Sequence, residues 1–314
     1  MGPGLERRPQ VEVHEPRAVP LGGQRGMVVH RTLPTRLRPL VGAWCFLDHY
    51  GPDDVDSSGG MLVRPHPHSG LQTVTWLFEG EVEHRDSADG HAVVRPGELS
   101  LMTAGDGIAH SEVSTPSTRV LHGVQLWVAL PSAARDVPRS DEHLSAPAAD
   151  LEGAQVRVFV GELAGVRSPA VVHSPLLGAE IVLAPHATLD LGVDETFEHA
   201  VLVDTGEVRL VDAVLHAREL GYLEPGPGRI TLANTGAEPS RVVLLGGAAF
   251  AEPIVMWWNF VARTHDEVVA MREDWAVGSS RYGEVPGWTY EDRLPAPELP
   301  RVRIRPRGAG SSPV

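Results

Sequence analysis

Short apolar stretches rich in Val, Leu, Thr and Trp recur along the chain, and Gly, Pro or Asp separates one stretch from the next. Examples are LQTVTWLFEG from residue 71, LHGVQLWVAL from residue 121, HAVLVDTGEVRLV from residue 199 and SRVVLLGG from residue 240. Stretches of this length bounded by turn residues predict strands, and their frequent recurrence is typical of a sandwich or barrel. We therefore predict an all-β protein.

Breaks in this pattern predict the domain boundaries. Residues 131–150, PSAARDVPRSDEHLSAPAAD, are polar and proline-containing, and we interpret them as a linker between two β-barrel domains at 25–130 and 151–290. An N-terminal segment, 1–24, precedes them. A Pro-rich tail, 291–314, follows and is expected to lie on the surface or to be disordered.

One short helix is predicted near the end of the second domain, at about 264–275. Thr264 stands directly before a segment with helical character, and Glu267 follows three residues later. This Ser/Thr-x-x-Glu spacing is the capping box that begins many helices.

The two predicted domains resemble each other, which indicates an internal duplication. GELSLMTAGDGIAHSE at 97–112 aligns with RELGYLEPGPGRITLA at 218–233, and EGEVEH from residue 79 aligns with TGEVRL from residue 205. The turn glycines coincide in this alignment: Gly80 with Gly206, Gly105 with Gly226, and Gly107 with Gly228. Two copies of one β-unit are therefore expected.

Two pairs of metal-ligand residue types lie at strand spacing in the first copy. RPHPHSGLQT contains His66 and His68, and IAHSE contains His110 and Glu112. Residues i and i+2 of a strand point to the same side, so each pair is expected to present both side chains to one interior. Three imidazoles and one carboxylate suit a first-row divalent metal. The alternative interpretation of each pair is an ordinary polar strand face.

The second copy favours the metal interpretation. At the aligned positions it has Gly192, Asp194, Thr231 and Ala233, so it keeps the fold signals but lacks the ligand set. One metal-binding barrel and one empty barrel explain this difference. Pro67 between the first two histidines predicts a strand end or edge, and four protein ligands leave a coordination position open for a small molecule.

Four further roles are weaker hypotheses. Glu112 is a candidate general base that takes a proton from an acidic substrate hydroxyl. His84 and His122 are candidates for orienting a ligand imidazole, with a structural histidine as the alternative for each. Gln72, four residues after His68, is a candidate for a side chain that faces the cavity.

Composition excludes several classes of protein. The chain has 27 Lys and Arg against 41 Asp and Glu, a formal net charge of −14, which opposes direct binding to nucleic acid. Cys45 is the single cysteine, so neither an intrachain disulfide nor a cysteine-rich zinc cluster is available. No apolar run reaches the roughly 18 residues of a membrane span, and the charged first twenty residues do not resemble a signal peptide. We expect residence in the cytoplasm.

Several long motifs resemble the pirin family of the cupin superfamily over about residues 25–290. They are LDHYGP, HPHSGLQTVTWLFEGEVEHRDS, PGELSLMTAGDGIAHSE, LHGVQLWVALP and EPIVMWWNFVARTHDEVVAMREDW. The resemblance implies a bicupin, two antiparallel jelly-roll-like barrels, whose N-terminal barrel binds iron through three His and one Glu. The family positions fall on His66, His68, His110 and Glu112. Gln72 stands where many cupins have a glutamate ligand, so the carboxylate is expected from Glu112.

The resemblance implies two alternative functions. Some pirins open the heterocycle of flavonols such as quercetin with dioxygen and release carbon monoxide. We expect an Fe(II)-dependent enzyme of this type, acting on a flavonol-like aromatic substrate, with other first-row metals as alternatives. The second possibility is a non-enzymatic iron protein whose redox state controls binding to a transcription regulator or metabolic enzyme. A cupin whose metal only stabilises the barrel is the third.

Overall fold

The computed structural model describes residues 10–21 and 27–308. In the first half of the chain the strands are β1 (Glu12–His14), β2 (Arg17–Pro20), β3 (Val28–Leu33), β4 (Trp44–Asp54), β5 (Leu62–His68), β6 (Leu71–Glu79), β7 (Val82–Asp86), β8 (His91–Val94), β9 (Glu98–Thr103), β10 (Ile108–Ser114), β11 (Val120–Ala129) and β12 (Ser140–Ser145). A one-turn helix, α1 (Val55–Ser58), follows β4.

In the second half the strands are β13 (Ala148–Leu151), β14 (Ala154–Val160), β15 (Glu162–Leu163), β16 (Val166–Arg167), β17 (Leu176–Leu183), β18 (Thr188–Gly192), β19 (Phe197–Thr205), β20 (Glu207–Leu210), β21 (Ala213–His216), β22 (Leu220–Leu223), β23 (Arg229–Asn234), β24 (Ser240–Ala248), β25 (Val255–Trp257) and β26 (Phe260–Ala262). Helix α2 (His265–Ala276) follows them, and short 3-10 turns lie at Ser132–Ala134 and Tyr290–Asp292.

Each half folds into an antiparallel barrel made from one large and one small sheet. In the first barrel the orders are β12-β9-β6-β11-β4-β3-β2 and β5-β10-β7-β8. In the second they are β1-β22-β19-β24-β17-β14-β13 and β18-β23-β20-β21. The small-sheet order β5-β10-β7-β8 corresponds strand for strand to β18-β23-β20-β21. The prediction of an all-β fold with two barrels and a short late helix is therefore confirmed.

The repeated turn glycines occupy equivalent places in the two copies. Gly80 precedes β7 with φ 87°, and Gly206 precedes β20 with φ 83°. Both angles lie in the left-handed region that glycine adopts without a Cβ penalty. A Cβ on Gly80 would also lie 2.4 Å from the Val120 carbonyl oxygen. The local backbone requirement explains why these glycines are visible as a sequence repeat.

The two large sheets share one apolar core between the barrels. Trp44 and Trp76 of the first barrel pack with Phe159 of the second, and all three are fully buried. The Trp44 indole N–H lies 3.1 Å from the carbonyl oxygens of Leu177 and Gly246. These contacts hold the large sheet of the first barrel against the second barrel, because the indoles bury apolar area and the Trp44 N–H has acceptors.

The predicted N-terminal segment and linker are corrected by the structure. Of residues 1–24, the described part contributes β1 to the edge of the second barrel and β2 to the edge of the first. The predicted linker, 131–150, contains β12 and the start of β13, which pair with β9 and β14. Alternating polar residues are compatible with an edge strand that has one face in solvent, so polarity alone did not predict a linker here.

The late helix begins where its cap predicts. Thr264 is the N-cap of α2, and its hydroxyl accepts a hydrogen bond from the Glu267 N–H at 3.2 Å. The Glu267 carboxylate instead accepts from the Arg263 N–H at 2.8 Å, one residue earlier than a capping box requires. Val268, Met271 and Trp275 form the buried face.

The described part of the tail, 291–308, is exposed or half-buried and makes backbone contacts with the rest of the chain. Leu294 donates its N–H to the Pro65 carbonyl at 2.8 Å, beside the first histidine pair, and Arg307 pairs with Ile254. Residues 309–314 lie outside the described residues. Among the helices of the described residues, none has the length and apolarity needed to cross a bilayer.

Candidate metal centre

The two histidine-containing pairs lie on neighbouring antiparallel strands of the first barrel. His66 on β5 is directly opposite His110 on β10, and His68 is opposite Ile108. The His66 and His110 rings are 4.4 Å apart, and each lies 5.0 Å from the His68 ring, measured between centroids. All three imidazoles and Glu112 are buried. The i, i+2 spacing therefore brings the three rings into one cluster.

The hydrogen bonds of two imidazoles assign their protons away from this cluster. His66 Nδ1 lies 2.9 Å from the Arg64 carbonyl oxygen, and His68 Nδ1 lies 3.1 Å from the Asn259 carbonyl oxygen. A carbonyl only accepts, so each Nδ1 carries the proton. A neutral imidazole has one N–H, and the Nε2 atom of both rings therefore has a free lone pair.

His110 is oriented by a chain of groups behind it. Asp86 Oδ2 lies 2.9 Å from His84 Nε2, and His84 Nδ1 lies 3.4 Å from His110 Nδ1. In neutral His84 with its proton on Nε2, facing Asp86, His84 Nδ1 accepts the His110 Nδ1–H. His110 Nε2 then carries a free lone pair, and this atom lies 3.1 Å from His68 Nε2. Carboxylate-to-histidine chains of this kind fix the tautomer of metal-binding imidazoles.

The donor chemistry of this cluster fits a divalent metal. One ligand nitrogen from each of His66, His68 and His110 lies within 4.8 Å of the others. Burial lowers the pKa of His66 to about 4 and holds the pKa values of His68 and His110 well below the usual range. Neutral nitrogens whose lone pairs face each other without a proton between them repel, and a cation removes that repulsion.

Glu112 lies beside His110, in a second group with His84 that shares His110 with the first. A β-bulge between His110 and Glu112 shifts the pairing with β5, and the carboxylate lies within 4.8 Å of ligand atoms of His110 and His84. Thr75 Oγ1 donates to Glu112 Oε1 at 2.9 Å, and burial raises the pKa of Glu112. A buried carboxyl with a raised pKa is a better proton acceptor than an exposed one.

Thr75 is itself held by Gln125 on β11. The Gln125 side-chain amide lies 3.0 Å from Thr75 Oγ1. The Thr75 hydroxyl thus has two acceptors within reach, Gln125 Oε1 and Glu112 Oε1, for its single proton. The chain from Gln125 through Thr75 fixes the orientation of the carboxylate.

A cavity of about 560 Å³ lies over the cluster. Phe46 and Trp127 form one wall, stacked with centroids 4.0 Å apart and planes at 12°. The Arg31 guanidinium lies over Phe46 and makes two hydrogen bonds of 2.7 Å to Asp48. This wall is a flat apolar surface with a polar group beside it, as in many sites for small aromatic molecules.

Segments far apart in the chain complete the lining. They are Pro20 and Leu21 at the end of β2, Trp258 and Asn259 in the turn between β25 and β26, and Leu294 and Pro295 in the tail. Trp258 has φ 53°, an uncommon conformation for a bulky residue. The same turn supplies the Asn259 carbonyl that assigns the His68 proton.

Two of the weaker candidates lie away from the cavity, which corrects those hypotheses. Gln72 donates its amide N–H to Thr103 Oγ1 and to the Val171 carbonyl, each at 2.9 Å, and does not line the cavity. On β6 the odd-numbered Thr75 faces the cluster, while Val74 and Trp76 pack in the core shared by the barrels. Gln72 shares their face because strand side chains alternate.

His122 lies at the contact between the barrels. His122 Nε2 and His49 Nε2 are each 2.6 Å from Asp204 Oδ1, and Arg241 bonds Asp204 Oδ2 at 3.1 Å. On β11 the cavity-lining residues are the odd-numbered Gln125 and Trp127, so an even-numbered residue points to the opposite face.

The aligned positions of the second barrel hold no such cluster. Gly192, Asp194 and Thr231 are exposed, and Asp194 accepts hydrogen bonds from Thr196. The interior of this barrel is packed with apolar side chains, among them Leu189, Leu191, Leu215, Ile230 and Leu232. Within the described residues, the interior of the second barrel is therefore filled by apolar side chains, whereas the interior of the first barrel holds the polar cluster.

Sequence reasoning missed several residues around the cluster. They are Arg31, Asp48, Tyr50, Thr75, Asp86, Gln125 and Asn259. Asp86 was detectable, because it stands two residues after His84 in VEHRD and a strand places both side chains on one face. The others required knowledge of strand neighbours or of contacts from the second half of the chain.

Comparison with protein-family models matches both halves of the chain. Residues 26–128 match the family described as Pirin, and residues 178–281 match the family described as Pirin C-terminal cupin domain. The first range covers β3 to β11 except the last residue of β11, and the second runs from within β17 to beyond α2.

Individual proteins are similar over nearly the whole chain. A Pseudomonas aeruginosa protein named "Putative quercetin 2,3-dioxygenase PA1205" is 43% identical over 285 residues, which is 90% of this chain and 89% of that protein. A Caulobacter vibrioides pirin-like protein is 35% identical over 280 residues, 86% of this chain and 94% of that one. The crystal structure of quercetin 2,3-dioxygenase from Acinetobacter baumannii superimposes with a TM-score of 0.88 at 37% identity, covering 94% of this chain and 97% of that chain.

Proposed function

The chain belongs to the pirin family, and we propose that it is an Fe(II)-dependent dioxygenase of the quercetin 2,3-dioxygenase type. Its substrate in this proposal is a flavonol or a related aromatic enol, whose ring is opened with dioxygen. The observation that carries the proposal is the buried group of three imidazole lone pairs and one carboxylate beneath an aromatic-walled cavity of about 560 Å³. The relatives named as quercetin dioxygenases give the reaction class.

His66, His68, His110 and Glu112 are the proposed ligands. A ferrous ion held there supplies the one-electron chemistry with dioxygen that amino-acid side chains lack. The protein side chains prepare the site for it. Asp86 and His84 keep the His110 proton on Nδ1, and the Asn259 carbonyl does the same for His68. These hydrogen bonds leave the Nε2 lone pairs free for the metal.

Glu112 is the proposed base. Its carboxylate oxygen accepts the proton of the substrate hydroxyl, which leaves an electron-rich enolate that reacts with dioxygen. Burial raises the pKa of Glu112, which favours acceptance, and the Thr75 hydroxyl holds the carboxylate in place. Phe46 and Trp127 offer a flat stacking surface for the substrate ring, and the enclosing segments exclude water from the reactive enolate.

The test is oxygen consumption by the reconstituted protein. The protein is stripped with a chelator, loaded anaerobically with ferrous iron, and mixed with quercetin and dissolved oxygen. We expect about one iron per chain, and equal molar losses of flavonol and oxygen with release of carbon monoxide. Glu112→Gln, which keeps the shape and removes the base, is expected to abolish turnover. Manganese, cobalt, nickel and zinc loadings compare the other divalent metals.

One outcome separates the enzyme from the redox-responsive regulator. If the protein binds about one iron per chain and flavonol and oxygen stay constant, the dioxygenase proposal is wrong. The regulator then becomes the working hypothesis, and the next measurement compares protein partners bound by the ferrous and ferric forms.

A further inference from the structure

Two histidines of the first barrel and one aspartate of the second meet between the barrels. His49 on β4 and His122 on β11 each place Nε2 2.6 Å from Asp204 Oδ1 on β19. The two Nε2 atoms are 3.4 Å apart, and all three side chains are buried. Three donor atoms from the two halves of the chain therefore converge on one small volume, on the face of the first large sheet that points away from the cavity.

The backbone departs from regular strand pairing at two of these side chains. Two residues of β19, Asp204 and Thr205, face the single residue Arg241 of β24, so Asp204 is part of a β-bulge. The pairing of β11 with β6 also shifts its register at His122. Bulges re-aim side chains and are common beside functional sites. Irregular pairing in both barrels therefore coincides with the convergence of the donor atoms.

The donor types and their spacing are those of a zinc site. Imidazole nitrogen and carboxylate oxygen are both zinc ligands. Ligands about 2.0–2.1 Å from a tetrahedral zinc lie about 3.3–3.4 Å from each other. The Nε2 atoms of His49 and His122 already have this separation. Asp204 Oδ1 reaches the same spacing by withdrawing about 0.7 Å, which a small rotation of its side chain provides.

The proton positions are compatible with this exchange. An ionised carboxylate only accepts hydrogen bonds, so each Nε2 carries a proton while Asp204 is its partner. A bound metal takes the place of both Nε2 protons, and each neutral imidazole then carries its proton on Nδ1 instead. His49 Nδ1 has no hydrogen-bond partner among the described residues, so no described donor opposes this change of tautomer.

The surroundings of the three side chains suit a bound cation. The Phe78 ring lies against both imidazoles, with its centroid 5.1 and 6.3 Å from theirs, and forms an apolar wall. Arg241 forms ion pairs of 3.1 Å with Asp204 Oδ2 and with Glu180. Glu180 offsets the charge of Arg241, and Arg241 holds the carboxylate oxygen that does not face the imidazoles. Partners of this kind orient the ligands of metal sites.

We propose that His49, His122 and Asp204 form a second metal site, which binds a zinc ion and links the two barrels. Three protein ligands leave the fourth tetrahedral position to a water molecule. A metal that binds only the folded chain stabilises it, so zinc at this place holds the barrels together. The site is independent of the dioxygenase proposal, because it shares no residue with the cluster at His66.

The experiment counts zinc in the full chain after a chelator has removed bound metal. Zinc is titrated in competition with a chromophoric chelator into the wild-type protein, His66→Ala and His122→Gln. We expect two zinc ions per chain in the wild-type protein and one in each variant, because each variant loses one of the two sites. The double variant is expected to bind none. Circular dichroism of the metal-free forms shows whether the barrels are intact.

Two further measurements locate the second ion. Zinc is expected to raise the melting temperature of His66→Ala, and to leave that of the His66→Ala/His122→Gln double variant unchanged. Cobalt(II) bound to His66→Ala is expected to show the intense visible absorption of a four-coordinate ion, because geometry is diagnostic of the site.

His199→Gln is the matched control. It replaces a buried histidine of the second barrel that belongs to none of the candidate ligand groups found among the described residues. It is expected to keep both zinc ions. His49→Gln is a second test variant, expected to bind one zinc like His122→Gln, and it decides the result if His122→Gln does not fold.

Two results would overturn the proposal. If the wild-type protein binds one zinc and His66→Ala binds none, the three side chains between the barrels form hydrogen bonds only. This result does not require the other variants to fold. If folded His122→Gln and His49→Gln both keep two zinc ions, the second ion lies elsewhere. Neither result bears on the dioxygenase proposal, which the oxygen assay tests separately.

Discussion

Replacing Asp86 with Asn tests whether the chain behind His110 prepares the metal centre. Asp86 is fully buried, and it accepts hydrogen bonds from His84 Nε2 at 2.9 Å and from the N–H groups of Ala88 and Gly90 at 2.6 and 3.0 Å. Burial alone would raise the pKa of this carboxyl, yet these donors hold it below the usual value. Asp86 is therefore ionised and acts purely as an acceptor.

The substitution reverses the proton arrangement of the whole chain. An asparagine whose carbonyl still accepts from Ala88 and Gly90 turns its NH₂ group toward His84 Nε2. His84 must then accept at Nε2 and carry its proton on Nδ1, which faces His110 Nδ1. His110 in turn must accept at Nδ1 and carry its proton on Nε2, the atom that points into the cluster. That proton occupies the lone pair the metal needs.

The expected magnitude follows from this change. Loss of a group that orients a metal-binding imidazole typically costs 10–100-fold in metal affinity. This corresponds to about 1.4–2.7 kcal/mol. The measurement is a competition titration of the metal-free protein with zinc and a chromophoric chelator at pH 7, together with circular dichroism of the metal-free forms to show that the barrels are intact.

Asp141→Asn is the matched control. Asp141 Oδ1 lies 3.7 Å from His84 Nε2, beyond hydrogen-bond distance, so this variant removes a nearby negative charge without changing the chain. We expect at most a small loss of affinity. Wild-type affinity in folded Asp86→Asn, or an equal loss in Asp141→Asn, would refute the reasoning, because the effect would then not depend on the tautomer of His110.

Three further outcomes are expected. His66→Ala and alanine variants of the other three proposed ligands should lose most bound metal, whereas Asp194→Ala in the second barrel should keep it. Stoichiometric metal in the ligand variants would show that the ligands are assigned wrongly. Asp204→Ala should lower the free energy of unfolding by about 3–5 kcal/mol in a denaturant titration, because it removes the shared acceptor of two buried imidazoles between the barrels and leaves Arg241 with Glu180 as its one carboxylate partner among the described residues; a loss below about 1 kcal/mol would contradict this. Burial lowers the pKa of His199 to about 4, so the folded protein binds fewer protons than the unfolded chain, and stability is lost as pH falls below about 6.5. The free energy of unfolding at pH 5 should be about 2 kcal/mol lower than at pH 7 through this group. Denaturant titrations should show that the free energy of unfolding depends less on pH in His199→Gln. If it depends on pH as in the wild-type protein, His199 is not the cause.

The local properties of the sequence predict the strands, the duplication and the two ligand pairs. Side-chain direction in a strand alternates with period two, so His66 with His68 and His110 with Glu112 can each be assigned to one face without knowledge of the rest of the fold. Two of the aligned glycine pairs, Gly80 with Gly206 and Gly105 with Gly226, repeat because a positive φ is a requirement of the local backbone. Both kinds of signal depend only on neighbours along the chain.

The same local rule did not decide which face of a strand lines the cavity. Gln72 and His122 lie on cavity-lining strands but point toward the second barrel, where they meet Val171 and Asp204. Each large sheet has two buried faces, one inside its barrel and one against the other barrel. Buried residues on both faces leave no hydrophobic alternation to distinguish inside from outside, so only the packing of the barrels decided their roles.

The completed site depended on contacts between residues far apart in the chain. The Asn259 carbonyl that assigns the His68 proton comes from 191 residues further on, and Leu294 reaches the same cavity from the tail. Strand β1, near the N-terminus, pairs with β22 of the second barrel. The amino-acid sequence by itself determined the candidate ligand residues and the strands that carry them. Their protonation, their hydrogen-bond partners and the enclosure of the cavity were decided by the tertiary structure, because each depends on which distant groups share a volume from which water is excluded.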